Sequence, residues 1–500
     1  MTQSSSATVP GAAEAVSPPL AGQFASHFAS QGALLFGGYA TAQALSFARN
    51  ALIGHALSKG DFGIAATITL VLQLIETLSD LGSDRLIVQA DDGDQPRFVA
   101  TAHTVLVARG VVLSLLMLGL APLLAQFFNI ASATFAFQAA ALAPLIKGFV
   151  HLDCRRAQRH FDNRPQLLVE VVPQLVALAL TVPMLSFAAS YSAVVWLAVV
   201  QALTTVVISH GLAGRSYRFA ADRAILRRQI AFGWPILASA LPLIAVYQGD
   251  RIIIGRLAGM DMLAAYSVAF MVTMVPGLIA AKVGHALMLP MFAHAVRRGD
   301  RLQRRFTAMT EATVVLAALY LAVFIVAGGL LVPLVFGAHY TGLGPVTSWL
   351  AVMWALRMIQ AVPGMALMAF GKTKPFFIAG LIRAHALPCV LWAASAGHSL
   401  AVLAAIGCVF EALSLLYVAI RLEAEERGLG GALLVRTGFL APVALSAVLA
   451  AKCSGGTVLC VTALTGALCL GVAGAGAALM PSLRAQLRRA LNLPPQALNA

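Results

Sequence analysis

Fourteen stretches of mainly apolar residues, each closed off by a short polar connection, constrain this chain more tightly than any motif in it. They run over 32–56, 62–82, 102–127, 133–153, 166–188, 191–211, 232–256, 263–292, 307–336, 346–370, 375–396, 399–421, 434–452 and 457–480. Lipid offers no partner to backbone N–H and C=O groups, so an apolar stretch of roughly 20 residues reads as a helix that crosses the bilayer. Composition agrees, with 60% hydrophobic residues, 11% charged residues and a mean hydropathy of +0.85. A soluble globular chain carries about 25% charged residues, so that class is excluded. The formal charge of +14 does not point to nucleic acid, because the basic residues cluster between apolar stretches. Loops that face anionic membrane lipids have this pattern.

Lysine and arginine also order the stretches. With the amino terminus inside, alternate connections should be basic. The inner connections then hold 24 of the 34 basic residues, and the outer ones hold three: Lys59, Arg256 and Lys452. A miscounted helix would scramble that division from its position onward. The expected fold is an all-α polytopic membrane protein with about 14 transmembrane helices: two pseudo-symmetric six-helix bundles plus two C-terminal helices. Residues 1–30, rich in Ser, Ala and Pro and without Lys or Arg, read as a disordered cytoplasmic tail rather than a signal peptide. Residues 31–214 form the first lobe, 215–231 a cytoplasmic amphipathic linker, 232–424 the second lobe, 425–482 the extra pair and 483–500 a cytoplasmic tail. The segments 215–232 and 297–306 read as helices on the inner leaflet, and the loop with Asp91, Asp92 and Asp94 as a solvated turn. Every outer connection is short, which leaves no room there for a catalytic domain.

Seven basic residues fall inside the apolar stretches: Arg49, Arg109, Lys147, Arg251, Lys282, Arg357 and Arg383. Acids well inside are fewer, namely Glu76, Asp80, Asp250 and Glu411, with Glu170 nearer an inner end. A charge at the bilayer centre costs about 2.5–3.5 kcal/mol on insertion scales and marks a site by default. Arg49, beside Asn50, lies about 18 residues into its helix, roughly 25 Å from the inner surface at 1.5 Å per residue. Arg251, beside Asp250, reaches a similar depth in the seventh stretch. Each is either an outer-interface anchor or a cavity-lining cation, and the neighbouring Asn50 and Asp250 favour the cavity. Arg357 and Glu411 stand near the middles of their stretches, either as a structural ion pair or as part of a substrate or proton path. Glu76 and Asp80, four apart, would share a helix face; they either repel and take up protons or cap basic residues of neighbouring helices. Lys147, Lys282, Arg109 and Arg383 lie where they can snorkel to the inner interface. His285 and His385 read as core histidines.

Prolines at 173, 183, 242, 276, 290, 333, 363, 388 and 442 can kink the helices that carry them. The six cysteines have neither CxxC nor Cys/His metal spacing. No metal and no cofactor is expected. Cys453 and Cys460 flank an outer loop, and all six read as small packing residues.

The run Phe47-Ala48-Arg49-Asn50 resembles the first-helix motif of the lipid II flippases, with Asn50 in place of that family's aspartate. Tyr266, Pro276 and Pro290 are similar to its eighth helix, although residues 270–272 are Phe, Met and Val where that family has arginine. The wider pattern resembles the Wzx-type polysaccharide flippases of the multidrug/oligosaccharidyl-lipid/polysaccharide (MOP) exporter superfamily. It comprises Arg49-Asn50, Asp61-Phe62-Gly63, Ser79-Asp80-Leu81-Gly82 and Asp250-Arg251, over about residues 30–425. The resemblance implies two six-helix lobes facing each other across a cationic cavity. It implies transport, not catalysis, of an undecaprenyl-diphosphate-linked oligosaccharide from the inner to the outer leaflet of the bacterial inner membrane, for exopolysaccharide or O-antigen assembly. Arg49, Arg251 and Arg357 would meet the diphosphate; Asn50, Glu76, Asp80, Asp250 and Glu411 would serve coupling or ion pairing. A polysaccharide polymerase and a chain-length regulator are the expected protein partners. Two alternatives stand beside this reading. A cation-coupled multidrug exporter of the same superfamily would need an acidic cavity, and a polysaccharide polymerase or ligase would need a large outer loop.

Overall fold

The computed structural model describes residues 18–160, 162–298, 302–453, 457–482 and 485. Residues 1–17, the tail arginines Arg484, Arg488 and Arg489, and the side chains of Lys282, His285 and Pro290 lie outside the described residues. No strand occurs among the described residues. The first half of the chain forms α1 (Pro18–Ala56), α2 (Lys59–Thr77), α3 (Ser83–Gln89), α4 (Pro96–Phe127), α5 (Thr134–Ala140), α6 (Leu142–Lys147), α7 (Asp153–Arg159), α8 (Arg164–Phe187) and α9 (Tyr191–Gly211). The second forms α10 (Arg223–Leu257), α11 (Met260–Arg298), α12 (Leu302–Phe336), α13 (Gly344–Ala369), α14 (Lys374–Ala384), α15 (Ala386–Ser395), α16 (Leu400–Glu425), α17 (Leu429–Thr437), α18 (Leu440–Cys453) and α19 (Val458–Leu479).

Every one of the fourteen apolar stretches carries helix. Among the described residues eleven helical segments are long and apolar enough to cross a membrane, or twelve with α10, which bends by 46° at 242–244. The two stretches that fall short carry α1, with Gln43, Arg49, Asn50 and His55, and the broken pair α5–α6, of 7 and 6 residues. The connections gather on two faces. On the face assigned outside, Lys59 sits over the Tyr340 ring, Arg256 over Phe127, and Asn129 reaches the Arg256 carbonyl. On the opposite face, Asp92, Asp94, Arg156, Arg215 and Arg228 meet.

Four expectations need correction. Helix α1 begins at Pro18, so residues 18–30 are not tail. Residues 213–222 form no helix, and Arg223 already begins α10, with Asp222 as N-cap accepting from the N–H groups of Ala224 and Ile225. The 215–231 segment is therefore an extended strap plus the first turns of a span, not a surface helix. In the same way, 297–298 end α11 and 302–306 begin α12. The acidic loop is not a free solvated turn. Asp92 pairs with Arg228, Asp94 with Arg156 and Arg215, and Arg159 donates to the carbonyls of Val88, Ala90 and Asp91.

The two lobes touch at both faces. On the outer side Phe47, Phe62, Phe336 and Tyr340 meet edge-on, and Gly63 lets α2 lie against the start of α11, where an added Cβ would fall 2.1 Å from the Met260 carbonyl oxygen. On the inner side Arg97 pairs with Asp222 and Asp92 with Arg228, while Gly233 of α10 packs on the Leu81 backbone. The largest apolar core belongs to the second lobe, around α11, α12, α13 and α16.

Candidate substrate-binding site

The first lobe holds an open polar chamber of about 750 Å³, lined from α1, α2, α3, α4, α6, α7, α8 and α9. Helix α2 stops at Thr77, short of the stretch expected to end at 82; the Asp80 carboxylate accepts the N–H of Gly82, whose φ of +62° turns the chain into α3. Glu76 and Asp80 therefore do not share a helix face; each has its own basic partner. Glu76 receives Lys147 Nζ at 2.8 Å, and Asp80 receives Arg85 at 3.3 Å. Lys147 reaches Glu76 because Gly110 and Gly148 allow α4 and α6 to touch along their backbones. Arg109 of α4 donates to the Glu76 carbonyl at 2.6 Å and to Ser79 Oγ at 2.9 Å, which closes the orphan carbonyls at the end of α2. Neither Lys147 nor Arg109 snorkels; both are tied into the chamber wall. Four bases (Arg85, Arg109, Lys147, Arg155) face four acids (Glu76, Asp80, Asp84, Glu170), so the chamber is polar without net charge.

Arg49 stands a turn and a half beyond the chamber residues Tyr39, Ala42 and Gln43 on α1. Its Nη1 donates to Gln201 Oε1 of α9 at 2.5 Å, and Gln201 lines the chamber. Asn50 turns back to the Ser46 carbonyl of its own helix. In the second lobe Arg251 repeats the arrangement: its Nη1 donates to Gln248 Oε1 at 3.1 Å, and its guanidinium lies over the Phe270 ring. Gln248 in turn donates to Gln73 Oε1 of α2 at 3.1 Å, a polar link between the lobes. Asp250 is held apart from this, accepting from the Tyr266 hydroxyl and from the Arg251 N–H. Among the described residues no carboxylate lies within ion-pair distance of Arg49 or Arg251, and Arg251 Nε is buried without a partner. A neutral amide orients a guanidinium without cancelling its charge.

Arg357 differs. Its Nε donates to Glu411 Oε2 at 2.9 Å, and its guanidinium lies over the adjacent Tyr247 and Trp354 rings at 4.8 and 5.0 Å. Glu411 also faces Arg383 at 3.7 Å, so Arg383 joins this cluster rather than the interface. The structural ion pair that the spacing of Arg357 and Glu411 allowed is present. Phe270 and Trp354, 5.9 Å apart, stand between Arg251 and Arg357, which makes the second lobe's cations one aromatic-spaced group.

Sequence reasoning missed these rings, and it missed a second cluster at the inner end of the first lobe. There the rings of His103, His151 and His210 surround Tyr217 of the strap at 4.2, 5.4 and 4.9 Å. His103 and His151 also meet the Arg218 and Arg215 carbonyls, which fixes the strap to α4 and the α6–α7 turn. Histidines separated by some fifty residues along the chain give no periodic signal. Only the packing brings them together.

Comparison with known proteins follows the same direction. The pattern described as "Polysaccharide biosynthesis protein" matches residues 55–345. The chain is 22% identical over 334 residues to the teichuronic acid biosynthesis protein TuaB of Bacillus subtilis (strain 168), covering 65% of this chain and 68% of that protein. Its fold is similar to that of the lipid II flippase MurJ in an inward closed conformation, at 9% identity and TM-score 0.69, over 89% of this chain and 99% of that one. It is also similar to a multidrug resistance MATE family transporter of the MOP superfamily in its inward-facing conformation, at 14% identity and TM-score 0.62, over 77% and 96%. At these identities the solved structures speak for the fold, and it is the fold that the short motifs implied.

Proposed function

Since the chain belongs to the polysaccharide biosynthesis protein family and is a multi-pass membrane transporter on the MOP exporter fold, we propose that it is a flippase for an undecaprenyl-diphosphate-linked oligosaccharide. It carries the oligosaccharide from the inner to the outer leaflet of the bacterial inner membrane for exopolysaccharide or O-antigen assembly. One observation carries the reading: Arg49 and Arg251, at matching places in the two lobes, are each held by a glutamine amide and by no carboxylate among the described residues. A transporter of cationic drugs gains nothing from such groups, whereas a diphosphate needs them. Guanidinium forks bind phosphate oxygens in a bidentate manner and stay charged in a low-dielectric site.

In this mechanism the diphosphate exchanges its water for Arg49 and Arg251, and the sugar hydroxyls meet the glutamines and charged pairs of the neutral first-lobe chamber. Most of the isoprenoid tail stays in lipid throughout. Alternation consists of parting the inner contacts Asp92–Arg228 and Arg97–Asp222 while the outer Phe62–Phe336–Tyr340 cluster holds, then the reverse. With the cytoplasm negative, outward movement of an anion gains about 2.3 kcal/mol per charge per 100 mV, roughly 5 kcal/mol for a doubly charged diphosphate. Entry of H⁺ or Na⁺ with the empty carrier would reset it. Both chain ends lie in the cytoplasm on this reading.

The test is translocation of a fluorescent lipid-diphosphate sugar in vesicles, with Arg49→Ala and Arg251→Ala. Both variants are expected to lose most transport at normal expression. If both flip the lipid at the wild-type rate, the cationic site is wrong. If the wild type ignores the lipid and exports a cationic dye instead, the drug-exporter reading replaces it.

A further inference from the structure

A second open cavity, of about 780 Å³, runs between α10 and α14 in the second lobe. Its walls are Pro242, Val246 and Tyr247 on one side and Phe376, Phe377 and Ile378 on the other, with Phe377 and Ile378 left 56% and 40% exposed. Two cations interrupt this apolar lining. Lys374 stands at the first turn of α14, and Arg383 lies nine residues further in, about 13 Å along the helix axis. No ion-pair partner of Lys374 occurs among the described residues. The groove also touches the buried cluster at two points, because Tyr247 stacks on the Arg357 guanidinium and Arg383 faces Glu411.

That cluster is not neutral. Arg357 and Arg383 both face the Glu411 carboxylate, two cations to one acid within ion-pair distance among the described residues. Arg357 Nη1 is buried with no hydrogen-bond partner, in a side chain only 9% exposed. Such a group is costly to leave unmet. The first-lobe chamber, with four bases against four acids, shows the contrasting design. An apolar trough with cations at its mouth and floor matches an amphiphile with an anionic head and a hydrocarbon tail.

We infer that the α10–α14 groove, which rests on the flippase reading above, is the binding site for the phosphate end and first isoprene units of a polyisoprenoid lipid. Lys374 receives the phosphate at the membrane surface. Arg383 then takes it deeper, beside the Arg357–Glu411 pair and on the way to Arg251, while Val246, Phe377 and Ile378 hold the chain. The sugar is left for the neutral chamber of the opposite lobe.

The experiment uses the full chain in nanodiscs with a diazirine-tagged polyprenyl diphosphate, competed separately by undecaprenol, phosphatidylglycerol and inorganic pyrophosphate. Label is expected on residues 242–247 and 376–380, displaced by untagged polyprenyl diphosphate but not by the alcohol, the phospholipid or pyrophosphate. Arg383→Gln should weaken binding about tenfold and Arg383→Lys much less, a difference expected of a charge that meets the ligand. Lys374→Gln, at an exposed position that cannot harm folding, should slow labelling severalfold. Label that maps only elsewhere, in a protein that still translocates the lipid, overturns the groove and leaves the flippase standing. Equal displacement by phosphatidylglycerol or by pyrophosphate also overturns it, since the site would then read a generic lipid or a free anion. A wild-type protein that neither labels nor translocates defeats both readings.

Discussion

Replacing Glu411 by Gln keeps the side chain's volume and removes its charge, and it separates what the Arg357–Glu411 pair does for stability from what it does for transport. Glu411 is 1% exposed and Arg357 9%, so both charges lie far from water. Breaking a buried pair by removing one partner costs about 3–5 kcal/mol. The two rings cover the Arg357 guanidinium before and after the change and so offset none of it, which leaves the expected loss at about 3–5 kcal/mol. Replacing both partners by apolar residues of similar size, Arg357→Met with Glu411→Leu, should recover most of that loss, because only Arg383, 19% exposed and at the open α10–α14 groove, is then left without its carboxylate. The neighbouring Gln360–Ser414 hydrogen bond, 2.9 Å, stays in both variants. Equilibrium unfolding by SDS in mixed micelles measures the stabilities, and lipid translocation in vesicles measures function. The double variant should unfold closer to the wild type than Glu411→Gln does, yet transport poorly. Wild-type stability of Glu411→Gln refutes the desolvated pair; a double variant that is both stable and fully active refutes any substrate role for Arg357.

Three further outcomes follow from the geometry. The Arg228 hydrogen bond holds the Asp92 carboxyl below the usual carboxylate range, so its contribution to the inner contact is complete above the ordinary pKa and disappears only as pH falls through the lowered value. Cross-linking between cysteines placed in the 91–94 loop and at the start of α10 should therefore stay constant from about pH 5 to 8 and fall in strong salt; a change near neutral pH would contradict this, and Asp92→Asn should cost no more than about 1 kcal/mol because both partners are partly exposed. The buried Tyr217 hydroxyl has no partner and burial raises its pKa to about 12, so Tyr217→Phe should leave SDS stability unchanged or slightly higher, whereas Tyr217→Ala should loosen the strap and speed proteolysis at 213–222. Gly63→Ala should destabilise by about 1–3 kcal/mol through the contact with the Met260 carbonyl, read as increased outer-side labelling of Cys substituted at Tyr340; unchanged labelling would mean that α2 and α11 are not in contact there.

The strongest parts of the sequence reading were those governed by lipid. Apolar length fixes where helices can cross, and the asymmetry of Lys and Arg sorts their ends; the contacts among Lys59, Tyr340, Arg256 and Phe127 on one face respect that sorting. The cost of charge in a bilayer likewise picked out Arg49, Arg251, Arg357 and Glu411. Local boundaries were less legible. The spacing of Glu76 and Asp80 suggested one helical face, but α2 ends at Thr77, and Asp80 lies in the turn before Gly82, the left-handed N-cap of α3. The acidic loop looked solvated because its arginine partners come from α7, the strap and α10, up to 136 residues away.

By itself, then, the amino-acid order determined that this chain spans a membrane many times and which charges lie inside its apolar stretches. Those properties follow from transfer free energies, which depend on each residue and its near neighbours. Only the tertiary structure decided that Arg49 and Arg251 are held by glutamines while Arg357 is held by a carboxylate, and that one lobe's chamber is charge-balanced while the other's groove is positive. Whether a charge is compensated depends on side chains from distant helices meeting within a few ångströms, and no local pattern in the chain encodes that distance.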